Sequence, residues 1–199
     1  FAFFVIILTL LNIYKTGFYM KHIPNILTCS RILLAVLLLV VMLHWEHIVP
    51  SWVDISWRNY CACLIFCIAS ITDFFDGYIA RQFDLGSTFG EVFDPLADKM
   101  LILGAFIGLL LLDRANAWAV FIILSREFYI TGLRVVAANS KQNVAASPLG
   151  KYKTGFQILA IAFLLADFFP GGTLFLWIAV IVTLYSGLDY TFKYYKAMA

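Results

Sequence analysis

Six long apolar segments, separated by short polar breaks, constrain the fold of this chain more than any other feature. Each has about 17–23 residues, close to the number that an α-helix needs to cross the apolar core of a bilayer. The pattern therefore predicts an all-α integral membrane protein, a bundle of six transmembrane helices. The segments lie near residues 26–44, 59–80, 94–112, 116–137, 153–169 and 172–192. Between them, we expect a polar loop at residues 45–58 and a tight connection at residues 113–116.

The composition favours the same class of protein. Hydrophobic residues make up 63% of the chain and charged residues only 13%. A water-soluble domain of this length has too much surface to cover with so few polar residues. The net charge of +2 is small and no basic run is present, so nucleic acid is not expected as a partner.

Residues 1–19 stand apart from the membrane domain, which we place at residues 20–199. Their apolar run, Phe1 to Leu11, is short for a membrane span. It also lacks the basic region and cleavage site of a signal peptide. We expect an expression remnant, an upstream extension or part of an extra N-terminal interfacial helix, with a natural start at Met20.

The distribution of basic residues predicts an orientation. If the N-terminus is inside, the outer loops contain only Arg58 and Arg114, and the other 12 of the 14 basic residues lie towards the inner side. This is the positive-inside pattern. It predicts cytoplasmic N- and C-termini. Without a transit-like segment, the bacterial cytoplasmic (inner) membrane is the simplest location.

Among the acidic residues of a 26-residue stretch, four interrupt the apolar pattern at helical spacing: Asp73, Asp76, Asp94 and Asp98. Each costs about 2.5–3.5 kcal/mol in a bilayer if it stays charged and unpaired. Spacings of three and four residues put each pair on one helix face, and the short loop predicts antiparallel neighbours. Four oxygen ligands favour Mg²⁺, with Mn²⁺ as the alternative, and suffice for two ions. The competing interpretation is four solvated helix-end residues.

Small and basic residues share these helix faces. Gly77 and Ala80 leave room for a ligand to approach, and Arg81 offers a fork of donors for phosphate. Acidic residues near membrane helices also mark ion paths, so a divalent-cation transporter is an alternative of another class. The acids would lie at the cytoplasmic ends of the second and third spans, where soluble phosphorylated substrates are available.

The acidic string resembles the signature of the CDP-alcohol phosphotransferases at every position. That resemblance implies a two-metal enzyme that moves a phosphatidyl group from CDP-diacylglycerol to an alcohol and releases CMP. It implies metal binding by all four aspartates, with Asp98 also as general base, and contacts from Asp73, Gly77, Arg81 and Gly90 to the CDP moiety. The string reads Asp73-x2-Asp76-Gly77-x2-Ala80-Arg81-x8-Gly90-x3-Asp94-x3-Asp98.

Cations in the second half of the chain suggest an acceptor that carries a phosphate. Arg126 and Arg134 are eight residues apart, about two helical turns, so one face carries both. Positive-inside anchoring by snorkelling side chains is the alternative. The segments 125–134 and 150–157 resemble those of phosphatidylglycerophosphate synthases, a branch of the same family. They imply sn-glycerol 3-phosphate as acceptor, bound by Arg126, Arg134 and Lys151. Cardiolipin synthase, whose acceptor is phosphatidylglycerol, is the alternative within the family.

Two further expectations concern helix ends and association. The segment from Pro24 to Arg31 resembles the N-terminal motif of the same enzymes, and it implies contacts from Asn25 and Thr28 to CDP. Capping of the first helix is an equally good interpretation of both residues. Gly104 and Gly108 allow close helix packing, within the chain or in a dimer. By resemblance we expect a homodimer.

Overall fold

The computed structural model describes the backbone of residues 23–83, 88–139, 148–168 and 170–198. Side chains are described for residues 28–72, 96–137, 149–168 and 170–196. The described backbone is all-α and contains no strand. Its helices are α1 (Ile23–Leu43), α2 (Trp45–Ile48), α3 (Ser56–Phe83), α4 (Thr88–Leu111), α5 (Ala117–Asn139), α6 (Pro148–Leu165) and α7 (Gly171–Met198).

Each of the six predicted segments falls on one of the six long helices, so the all-α prediction is confirmed. The region 45–58, expected to be a loop, differs from the prediction in two places. It contains α2, a single turn, and α3 begins before its end. The Asp54 carboxylate accepts a hydrogen bond of 2.7 Å from the backbone N–H of Ser56. This bond satisfies a donor in the first turn of α3 and explains its early start.

One helical segment in the described part of the chain, Gly171–Lys196, is long and apolar enough to cross a membrane by length and composition alone. The apolar stretch of α1, Thr28–Leu43, is shorter. The extension at residues 1–19 lies outside the described residues.

The predicted tight connection between α4 and α5 is confirmed in detail. Asp113 takes a left-handed conformation with φ of 55°. Its N–H bonds Leu110 O, and the next N–H, that of Arg114, bonds Leu109 O. These two bonds form the Schellman motif that closes many helices. Asn116 then starts α5, because its side-chain oxygen accepts from the N–H groups of residues 118 and 119 at 3.0 and 3.2 Å.

Arg114 ties this connection to two other helices. Its guanidinium donates to Asn59 Oδ1 on α3 at 2.9 Å and to Leu165 O at the end of α6 at 3.4 Å. It also pairs with Asp167 Oδ2 at 3.0 Å. Asp167 has a φ of 59° and closes α6 as Asp113 closes α4. One side chain therefore fixes one end of the bundle.

The long helices pack in two groups that share one hydrophobic core. In the first group α1 packs against both α3 and α4, and in the second α7 packs against both α5 and α6. Gly104 and Gly108 face α1, and a Cβ at Gly108 would lie 2.6 Å from Met42 Sδ. The expected close packing therefore occurs within the chain, while the homodimer stays a prediction. The largest buried apolar side chains are Phe66, Phe106, Leu38, Met42, Leu109 and Ile123.

Candidate active site

The acidic string lies on two helices that contact each other. Asp73 and Asp76 belong to α3, and Asp94 and Asp98 belong to α4. Asp98 is the member of the four whose side chain the structure describes. The remaining predicted CDP-side residues are on the helices expected for them, with side chains outside the described set: Asn25 on α1, Gly77 and Arg81 on α3, and Gly90 on α4.

Asp98 pairs with a buried arginine from the first helix. Arg31 Nη1 lies 3.3 Å from Asp98 Oδ1. The Arg31 side chain is 0% exposed, and the Asp98 side chain is 46% exposed. A buried charge is stable only when it is paired and hydrogen-bonded. Arg31 therefore supplies a fixed positive charge to the acidic helices, while Asp98 remains accessible to a ligand.

Thr28 lies one turn before Arg31 and is fully buried. Because α1 already includes Ile23, neither Asn25 nor Thr28 is the residue that caps its start. The capping interpretation of these two residues is therefore wrong. Their contact with CDP stays a prediction.

Lys99, the residue after Asp98, connects the acidic helix to α5. Its Nζ donates a hydrogen bond of 2.5 Å to Thr131 Oγ1. The Thr131 hydroxyl in turn donates to Glu127 O at 2.7 Å. Since α4 and α5 otherwise contact each other at few residues, this bond is a principal link between the carboxylates and the predicted acceptor helix.

A layer of polar residues joins α5, α6 and α7 within the apolar bundle. Arg126 donates to Ser186 Oγ at 2.9 Å and lies 3.4 Å from Glu127 Oε1. Lys153 makes a shorter contact with the same Glu127 oxygen. Gln157, also buried, donates to Thr183 Oγ1. Buried polar groups satisfied in this way specify how three apolar helices align.

The three residues predicted to bind the acceptor phosphate differ in their surroundings. Arg126 is largely buried, while Arg134 is exposed and its guanidinium carbon lies 5.4 Å from the centre of the Tyr190 ring. Lys151 is exposed, and no described contact joins it to either arginine. Lys153 lies within electrostatic range of both. The structure thus brings Lys153 to the arginines, and Lys151 stays a predicted ligand.

The donor set suits a hard divalent cation. Among the residues with described side chains, no three His, Cys, Asp or Glu converge, and three of the four signature aspartates lie outside that group. All four supply carboxylate oxygens, the ligands that Mg²⁺ prefers. Arg31 offsets the charge of Asp98, and the charges of the other three signature aspartates are not offset by this arginine.

Comparison with known proteins decides the family. A family model described as CDP-alcohol phosphatidyltransferase matches residues 21–185. The match includes the whole acidic string and the predicted acceptor residues Arg126, Arg134 and Lys151. The chain belongs to this family. The resemblance carried by the acidic string is therefore confirmed.

Individual members of the CDP-alcohol phosphatidyltransferase family align over almost their full lengths. A protein of Bacillus subtilis (strain 168) is 41% identical over 189 residues, which cover 90% of this chain and 98% of the relative. One from Rickettsia typhi is 37% identical and covers 86% and 96%. One from Escherichia coli (strain K12) is 33% identical and covers 85% and 92%. All three are named CDP-diacylglycerol–glycerol-3-phosphate 3-phosphatidyltransferase.

Sequence reasoning assigned no role to several residues that the structure places at or beside this site. Arg31 had a usable signal, because a cation three residues beyond Thr28 in an apolar run requires a counter-charge. Lys99 directly follows the last signature aspartate, and its sequence position gave no sign of its bond to Thr131 on α5. Ser186 and Tyr190 gave no signal, since a serine and a tyrosine are ordinary in an apolar helix and their partners are far away in sequence.

Proposed function

We propose that this protein transfers the phosphatidyl group of CDP-diacylglycerol to sn-glycerol 3-phosphate, giving phosphatidylglycerophosphate and CMP. The observation that carries the proposal is the complete acidic signature on two contacting helices, beside a helix with two arginines in an apolar setting. The names of the aligned relatives support the same donor and acceptor.

We further propose that the six long helices all span a bacterial inner membrane, with both termini and the active site on the cytoplasmic side. Each long helix exposes large apolar side chains on its outer surface, which a soluble protein seldom does over such an area. The positive-inside distribution supports the orientation. Representative exposed residues are Leu33, Leu64, Ile107, Phe121, Leu159 and Ile181.

Two Mg²⁺ ions would be held by Asp73, Asp76, Asp94 and Asp98. Bound there, they would neutralise the charge that develops on the diphosphate during displacement. Arg81 supplies a guanidinium for the same diphosphate. Arg31 orients Asp98 from the side of α1 through the contact of 3.3 Å.

The reaction is a direct displacement at phosphorus. Asp98 accepts the proton of the primary hydroxyl of glycerol 3-phosphate. That oxygen forms a bond to the phosphorus that bears diacylglycerol. The bond from this phosphorus to the CMP oxygen breaks, and CMP leaves with the electron pair. The exposure of the Asp98 side chain, 46%, suits contact with a soluble acceptor.

Arg126, Arg134 and Lys151 would bind the acceptor's own phosphate. Arginine is well suited because its planar fork matches phosphate oxygens. Lys153 adds positive charge to the same region. Since Glu127 is closer to Lys153 than to Arg126, it offsets the lysine more than the arginine.

The test is CMP release by detergent-purified protein supplied with CDP-diacylglycerol and sn-glycerol 3-phosphate, with Mg²⁺ and with a chelator. We expect release that needs the acceptor, stops with chelator and returns with added Mg²⁺. Release only with phosphatidylglycerol would make the protein a cardiolipin synthase. Absence of release with any alcohol, from folded protein that moves divalent cations into sealed vesicles, would replace the proposal with a transporter.

A further inference from the structure

The last helix holds both acceptor arginines, although neither arginine belongs to it. Arg126 and Arg134 lie eight residues apart on α5. Ser186 and Tyr190 lie four residues apart on α7. Ser186 Oγ accepts from Arg126 Nη2 at 2.9 Å, and the Tyr190 ring centre lies 5.4 Å from Arg134 Cζ. Ser186 and Tyr190 are both buried, so each is a fixed support.

Gly187 completes this surface of α7. A Cβ at Gly187 would lie 3.1 Å from Arg126 Cγ and 3.3 Å from Arg126 Nε. Arg126 Nε is buried and has no hydrogen-bond acceptor among the described residues. Packing against the glycine therefore fixes this part of the arginine, and the distal hydrogen bond to Ser186 fixes its end.

We propose that Ser186, Gly187 and Tyr190 form a positioning face that sets the register of Arg126 and Arg134 for the acceptor's phosphate. The inference rests on the proposed function, and it identifies the residues that position the acceptor-binding arginines. A guanidinium loses much rotational freedom when it binds a ligand. Supports that hold it beforehand remove that cost and raise affinity for the group it fits.

The charge arrangement near this face supports the role. Arg126 lies 3.4 Å from Glu127, and Lys153 makes the shorter contact with that carboxylate. Ser186 is neutral, so it orients Arg126 without offsetting its charge. The Tyr190 ring likewise attracts Arg134 through its face without supplying an anion. Both arginines are thus held while most of their charge remains for phosphate.

The experiment compares steady-state kinetics of Ser186→Ala, Gly187→Ala and Tyr190→Leu with the parent enzyme. We expect KM for glycerol 3-phosphate to rise about tenfold for Ser186→Ala, because hydrogen bonds to charged groups are among the stronger ones. Tyr190→Leu should raise it about fivefold by removing the ring face. The KM for CDP-diacylglycerol should change less than twofold (about the scatter of such assays).

Conservative and matched variants separate positioning from stability. Tyr190→Phe keeps the ring face, so it should keep the parent KM. Thr191→Val removes a hydroxyl that donates to Gly187 O, a bond within α7. Tyr194→Leu removes another buried ring of α7. Neither control should shift KM for glycerol 3-phosphate, even where it lowers the thermal midpoint in detergent.

The outcomes distinguish the two proposals. If the parent enzyme releases no CMP with glycerol 3-phosphate, the proposed function fails. If the parent is active but the three variants alter only stability, the proposed positioning role is wrong. The same holds if they raise KM for glycerol 3-phosphate and KM for CDP-diacylglycerol equally. A rise in KM for glycerol 3-phosphate alone supports the positioning face, provided that Tyr190→Phe keeps the parent KM.

Discussion

Arg31 and Asp98 lie on different helices, 67 residues apart in sequence, yet Arg31 Nη1 lies 3.3 Å from Asp98 Oδ1. The contact joins α1 to the last carboxylate of the signature. Because Arg31 is fully buried, its position is fixed by the packing of α1 against α3 and α4. The first helix therefore contributes a buried charged side chain to the candidate active site.

Removal of the Arg31 guanidinium should slow catalysis. We expect Arg31→Ala to lower kcat roughly tenfold to a hundredfold, because small misplacements of a reacting group have effects of that size. Arg31→Lys keeps the charge but loses the planar fork, so its loss should be smaller. The measurement is CMP release at saturating substrates. An Arg31→Ala enzyme with parental turnover would show that Asp98 needs no partner on α1.

Loss of the Asp98 proton acceptor should affect turnover more strongly. We expect Asp98→Asn to lower kcat by about 10²–10⁴, the usual contribution of a positioned general base. The control is Asp113→Asn, at an exposed position with φ of 55° that asparagine tolerates. Near-parental turnover in Asp98→Asn would remove the general-base assignment, whatever the effect on the fold.

The contact between Glu127 and Lys153 should stabilise the bundle. Glu127→Gln leaves the charge of Lys153 buried without its nearest counter-charge, which should cost about 3 kcal/mol. Lys153→Met should cost less, because Glu127 keeps Arg126 Nη1 at 3.4 Å as a counter-charge. The double variant removes both charges, so we expect it to be more stable than the sum of the single losses predicts. Reversible unfolding in mixed micelles gives the free energy of unfolding of the parent, the two single variants and the double variant.

An exposed ion pair provides the comparison for this double-mutant cycle of Glu127 and Lys153. Lys193 and Asp189 lie on α7 at 2.8 Å, and the Lys193 side chain is 48% exposed. Pairs of this kind contribute about 0.3–0.5 kcal/mol. A coupling energy between Glu127 and Lys153 no larger than that of the exposed pair would contradict the stabilising role.

The helices of this fold were predictable because length and hydrophobicity determine them locally. The six apolar segments gave six helices, and the spacing within the acidic string put each aspartate pair on one of two contacting helices. The turn at Asp113 was also readable, because polar residues between two apolar runs mark helix ends. These features depend on neighbours within about a dozen residues.

Contacts between distant segments were not predictable in the same way. The bond from Arg126 to Ser186 spans 60 residues, and the partner is a serine that any apolar helix accommodates. Lys153 lies near both arginines, and Lys151 points to nearly the opposite side of the helix, because two residues span about 200° of a helical turn. The apolar neighbours of Arg31 in the sequence indicated that it is buried. Its partner, Asp98, could not be predicted, because the contact depends on how α1 packs against α4.

The packing of α4 on α1 gives a final prediction. A Cβ at Gly108 would lie 2.6 Å from Met42 Sδ and 2.7 Å from Met42 Cε. Met42 is buried, so its end must move into a filled core, and we expect Gly108→Ala to cost about 1–3 kcal/mol. Met42→Ala alone should also destabilise by leaving a cavity. Together the two changes should cost less than their sum, because the new methyl group occupies part of that cavity.

Gly155 supplies the matched control for this packing test. It lies on α6, and a Cβ there would meet nothing within 4 Å. Gly155→Ala should therefore raise stability by up to about 1 kcal/mol through helix propensity alone. If Gly108→Ala behaves like Gly155→Ala in the same unfolding assay, α1 and α4 do not approach as closely as described. If only Gly108→Ala destabilises, and Met42→Ala offsets it, the close approach of these two helices is established in the folded protein.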